Sequence, residues 1–227
     1  MNSISLLAFG IFYNILILVI YYSKKRIELV ENKVYIALLF TNIIGCILEI
    51  LSILSSKNVA FESTILVRLF LNYIVIWGLI LSAYTFIICS KKEVVSKIIK
   101  IFITISIIVS IPIYFLPIEL FKTEISSYAN GVVVNYIGII LFIDTLIVIY
   151  YLWKNKKNVN RRKIIPVYIY IIIMTGLIIV QKVNPSIQFY TSVETFVGLM
   201  MFFTIENPDV MLLEQAQLAK EQAEKAN

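Results

Sequence analysis

Four ionisable side chains stand inside long apolar runs of this chain: Glu49, Arg68, Asp144 and Glu194, with Asn72 one helical turn beyond Arg68. A charged residue at the centre of a bilayer helix costs about 2.5–3.5 kcal/mol on insertion scales, so each needs a partner, a wet surrounding or a task. The chemistry open to such a set is electrostatic. Glu49, Arg68, Asn72 and Glu194 are candidates to line a ligand-binding cup. Asp144, placed deeper, is a candidate proton-sensitive switch or an interhelical hydrogen-bonding group. A second reading stays open for the first group. Glu49 and Arg68 share a depth on sequential helices and could pair, with Arg68 reaching toward headgroups and Glu194 effectively interfacial.

Other chemistry has little to stand on. The chain contains no histidine, which excludes histidine metal ligation, general-base catalysis and phosphorylation. There is no GxSxG and no pair of aspartates on facing spans, so no catalytic residues are assigned and no enzyme activity is expected of this chain alone. No metal site and no cofactor are expected. The two cysteines, Cys46 and Cys89, fall in apolar spans and read as free thiols. The 14 tyrosines and 14 phenylalanines read as packing and interfacial residues. A retinal protein would need a lysine deep in the last span, and residues 187–205 have none.

The elements that must position these groups are membrane helices. Of 227 residues, 60% are hydrophobic and only 15% charged, against about 25% charged in soluble domains. A bilayer core takes about 20 apolar helical residues. Seven stretches qualify, near 5–22, 34–54, 65–89, 98–116, 132–152, 164–180 and 187–205. The last is the weakest, because Thr191, Ser192 and Glu194 interrupt it. On the second, Asn42, Gly45, Glu49 and Ser52 make a polar or small stripe that should face the bundle interior.

Charge sets the orientation. The loops after the first, third and fifth spans carry fourteen basic residues, among them Lys24, Lys25, Arg26, Lys91, Lys92, Lys156 and Arg161; the other three loops carry Lys57, Lys122 and Lys182 alone. By the positive-inside rule this predicts an all-α seven-transmembrane helix bundle with the N-terminus outside and the C-terminus in the cytoplasm. The formal charge of +6 is therefore a topology signal, and no nucleic-acid partner is expected. The first span has no basic residue before it and reads as an anchor, not a cleaved signal. The expected location is a membrane, multi-pass, with the lipid bilayer as first partner.

Two domains follow: a sensor-like membrane region over 1–205 and a cytoplasmic signalling helix over 206–227. Asn207 caps that helix, Pro208 suits its first turn and Asp209 complements the dipole. Leu212, Ala216, Ala219, Ala223 and Ala226 then form an a/d seam of small residues suited to a homodimer. The pattern stops at Asn227 without a cap, which reads as a truncated coiled-coil linker that continues into something else.

Thr204-Ile205-Glu206-Asn207-Pro208-Asp209, with Leu213-Glu214-Gln215, Leu218-Ala219-Lys220 and the closing 222–227, resembles the junction of membrane-bound sensor histidine kinases of low-GC Gram-positive bacteria. Val193-Glu194-Thr195-Phe196 and 131–136 extend the likeness. It implies a multi-span sensor that drives a downstream kinase core and, through it, a response regulator. No phosphoacceptor histidine or nucleotide-binding box is in this chain, so the resemblance implies the sensor and transmission segment only. The competing reading is a small multi-span transporter with Glu49, Arg68 and Asp144 along its path.

Overall fold

The structure is a computed structural model that describes residues 3–23, 29–55, 61–122, 127–155, 159, 161–184 and 189–205, together with 216, 219 and 222. It is an all-α membrane protein. Among the described residues up to 205, seven helices follow one another: α1 (Ser3–Ser23), α2 (Val30–Ser55), α3 (Phe61–Cys89), α4 (Lys92–Phe115), α5 (Val132–Asn155), α6 (Arg161–Val183) and α7 (Tyr190–Ile205). The first six are long and apolar enough to cross a membrane. α7 has 16 described residues, short of the roughly 20 a full crossing takes. Its outer part as read from sequence, 187–188, lies outside the described residues.

One element was not anticipated. A short hairpin joins α4 to α5, β1 (Glu119–Lys122) pairing antiparallel with β2 (Ser127–Asn130), Glu119 opposite Asn130. Phe121 and Tyr128 stack across it at 5.5 Å, the aromatic cross-strand pair that supports such a ribbon. It passes into α5 through Gly131 at φ 101°, a backbone setting that glycine tolerates and other residues resist.

α3 is the hub, packing on α2, α4, α5 and α6, while α7 closes against α6, α1 and α2. Its largest core side chains, Trp77, Tyr84 and Val75, are fully buried. The outer surface is the reverse of a soluble protein's. Phe12, Ile107, Ile108, Phe142, Ile172 and Ile179 are well exposed, while Asn14, Asn42, Glu49, Thr191 and Glu194 are buried. Where lipid is the solvent, apolar side chains face out and polar groups must find partners within the bundle.

Contacts at the two ends show successive helices running antiparallel. At one end Lys163, opening α6, pairs with Glu31, opening α2, at 2.6 Å. There too Ser90, just past α3, meets Tyr151 near the end of α5 at 2.8 Å. At the other end Tyr190, opening α7, donates to Gln181 near the end of α6. The end marked by Lys163 and Ser90 is also where Lys91, Arg161 and Arg162 stand.

α4 shows why a helix stops where it does. Pro112 within it has no N–H to give the Ile108 carbonyl. Four residues beyond Ile113 stands Pro117, which likewise has no N–H, and Leu116 before it is extended at φ −67°, ψ 147°. Leu116 N–H closes onto the Pro112 carbonyl at 2.9 Å, and the Ile113 carbonyl is left for a side chain.

Candidate functional site

Two helix faces with the same spacing meet in the core. α2 presents Asn42, Gly45, Cys46 and Glu49, at i, i+3, i+4 and i+7. α7 presents Thr191, Glu194, Thr195 and Gly198 in the same rhythm. One stripe on each helix therefore turns inward, and the two are cross-linked rung by rung. Thr191 Oγ1 donates to Glu49 Oε2 at 2.5 Å. Asn42 Nδ2 donates to Thr195 Oγ1 at 2.8 Å. Tyr35, a further two turns along α2, donates its hydroxyl to the Gly198 carbonyl at 3.0 Å. The three α2 residues stand seven apart, two helical turns each, so they lie nearly above one another.

α3 and α1 complete the cluster. Tyr73 reaches from α3 with its hydroxyl between Glu194 Oε2 and Asn42 Oδ1, the latter at 3.0 Å. Its ring lies where a Cβ on Gly45 would be, so only glycine leaves room for it there. From α1, Asn14 donates to the Gly10 carbonyl at 2.7 Å and approaches Thr195 Oγ1 at 3.5 Å. Thr195 in turn donates to the Thr191 carbonyl at 2.7 Å. The cluster thus joins four helices in the bundle interior.

Its electrostatics are one-sided. Glu49 and Glu194 lie within electrostatic reach of one another, and neither forms an ion pair with a described lysine or arginine. The Thr191, Thr195 and Tyr73 hydroxyl protons are committed to the bonds above, yet Glu194 Oε1 and Asn14 Oδ1 are buried without a hydrogen-bond partner. Both are acceptors. What this arrangement can do is hold a proton or a cation, or answer the arrival of one by repacking α7.

The expected cup divides. Glu49 and Glu194 come together, but Arg68 and Asn72 face the other way, toward α4. Arg68 donates to the Ile113 carbonyl, the group that Pro117 cannot serve, and so caps the C-terminal end of α4 where a cation also suits the helix dipole. Asn72 Nδ2 donates to the Tyr114 hydroxyl at 3.2 Å. The Glu49–Arg68 pair anticipated from equal depth does not form, because depth says nothing about azimuth and the two side chains point to different neighbours. Asp144 stands apart on α5, accepting from Ser82 of α3 at 2.6 Å, the interhelical hydrogen bond foreseen for it.

Sequence reasoning had seen Asn42, Gly45 and Glu49 as one stripe. It named Glu194 a candidate for the cup but took Thr191 and Glu194 as interruptions of a span, although with Thr195 and Gly198 they carry the same helical period. Asn14 and Tyr73 gave no comparable signal, each being a single polar tip in an apolar helix. In the C-terminal segment, Ala216 and Ala219 are helical and exposed. Asn207, Pro208, Leu212, Ala223 and Ala226 lie outside the described residues.

Compared with known protein families and with curated proteins, the chain matches no family model and no curated relative.

Proposed function

We propose that this chain is the seven-span sensor region of a two-component histidine kinase, N-terminus outside and C-terminus in the cytoplasm. A stimulus from outside or within the membrane shifts α7, and the helix beyond Glu206 carries that shift to a kinase core through a homodimer. One observation carries the reading. The last helix before the polar C-terminal segment bears Thr191, Glu194 and Thr195, which bond to α2 and α3 and approach α1. A helix whose inward face is fastened by a few directional bonds has discrete alternative settings. A ligand that favours one of them moves the population. The resemblance at 204–209 supports the same assignment.

The test is to fuse residues 1–227 in frame to a histidine kinase core and read autophosphorylation in membranes. Substituting Thr191→Val or Glu194→Gln is expected to shift basal output by about threefold or more, the size of a coupling near 0.7 kcal/mol. Output unchanged by every substitution along Thr191, Glu194 and Thr195, at equal expression, would remove the sensor reading.

A further inference from the structure

We propose that a free fatty acid binds in the groove between α6 and α7, its alkyl chain along the groove and its carboxylate at the end of the bundle where Tyr190 meets Gln181. The groove has a volume of about 550 Å³, within the roughly 300–1,000 Å³ of small-molecule sites. One face of each helix walls it. α6 gives Ile173, Leu177 and Val180, at i, i+4 and i+7, and the start of α7 gives Phe189, Ser192 and Phe196, at i, i+3 and i+7. At 1.5 Å per residue each wall runs about 10 Å, two helical turns. Val180, Phe189 and Phe196 remain well exposed, so the groove opens toward lipid. This is a shape for a single alkyl chain lying along the helices.

The wall is apolar at every position but one. The exception is Ser192. On the other side of α7, Thr191 and Thr195 spend their hydroxyl protons on Glu49 and on the Thr191 carbonyl. The Ser192 hydroxyl has no hydrogen-bond partner among the described residues. An unused hydroxyl in an apolar groove is answered by a polar group on the occupant, and the plain hydrocarbon of the bilayer brings none. Charge says which polar group. Lys182 lies on the last turn of α6, two residues past Val180, and the chain from Gln181 to Tyr190 contains no acidic residue. The start of α7 adds the positive end of its dipole. An anionic head is matched there and a cationic one opposed. Ser192 and Phe196 each stand two residues, about 200° of helical turn, from Glu194, so the buried carboxyls lie behind α7 and do not face the head. One chain with a small anionic head is a fatty acid. Its binding does not depend on the sensor reading and is tested without a kinase.

The full chain in phosphatidylcholine nanodiscs, at mildly alkaline pH, is photolabelled with dodecanoic acid carrying a diazirine on its chain, and the labelled residues are mapped by mass spectrometry. Saturable labelling confined to 173–180 and 189–196 is expected. Unlabelled dodecanoic acid should compete, with dodecanol and dodecanoyl-lysophosphatidylcholine weaker by about tenfold or more, the worth of a charge-assisted hydrogen bond lost from the head. Ser192→Ala and Lys182→Gln are each expected to weaken binding by about threefold or more. Leu177→Trp, which fills the groove, should remove it. The wild-type competition decides even where a variant does not fold. Labelling that does not saturate, or that falls equally on lipid-facing Ile107 and Ile108 of α4, overturns the proposal, the groove then holding ordinary bilayer lipid. Equal competition by dodecanol or by the lysolipid overturns it as well, since the groove would then be blind to the head.

Discussion

At the scale of single residues, Tyr73 and Gly45 are the pair on which the polar cluster turns. The tyrosine ring occupies the place of the missing Cβ, and its hydroxyl is thereby delivered between Asn42 and Glu194. Adding one methyl at Gly45→Ala forces the ring out of a packed site, a change that typically costs 1–3 kcal/mol, about the same as other overpacking substitutions. It also draws the hydroxyl off both acceptors. Thr191→Val, nearly isosteric, removes only the bond to Glu49. Interhelical hydrogen bonds in a bilayer average about 0.6 kcal/mol, with a maximum near 1.7. Gly45→Ala is therefore expected to lower Tm more than Thr191→Val. Thermal unfolding of the two variants side by side checks this, and the reverse order would show that the hydrogen bond outweighs the packing.

At the scale of elements, the end of α4 explains an arginine that sequence had offered either as a ligand-site candidate or as a group reaching toward headgroups. Pro117 withholds the N–H that the Ile113 carbonyl would otherwise accept, and Arg68 provides a substitute from α3. The two residues should be energetically coupled. Arg68→Met is expected to destabilise the bundle by about 1–2 kcal/mol, the range for leaving a buried backbone acceptor unserved. In a Pro117→Ala background, where residue 117 regains an N–H and α4 can extend, the loss should shrink by half or more. A double-mutant cycle on Tm or on detergent-denaturation midpoint measures the coupling. Strict additivity would show that Arg68 acts on something other than this helix end.

At the scale of the whole molecule, the antiparallel succession of helices brings the ends of α3 and α5 and the starts of α2 and α6 to one end of the bundle. Lys163–Glu31 and Ser90–Tyr151 both mark that end. If it is cytoplasmic, single cysteines placed in a background lacking Cys46 and Cys89 should divide cleanly. In intact cells a membrane-impermeant maleimide is expected to label Lys57→Cys and Lys122→Cys but not Lys25→Cys or Lys156→Cys until the membrane is opened. Labelling of the second pair in intact cells would invert the proposed topology.

The sequence by itself determined the class of this protein. Twenty-residue apolar runs can be nothing but buried or lipid-facing helices, and that inference needs no long-range information. The inward stripe of Asn42, Gly45 and Glu49 was legible for the same reason, since helical period is local. So was the partnership of Asp144 with another helix, because a deep carboxyl must find a donor, although the donor's identity as Ser82 was not. What only the tertiary structure decided is which stripe faces which. Glu49 meets Thr191 and not Arg68, although both candidates sit at the same depth. A helix's rotation about its axis is set by packing with all its neighbours at once. Asn14 and Tyr73 enter the site from α1 and α3 by that packing alone, and the two unsatisfied oxygens become visible only when four helices are brought together.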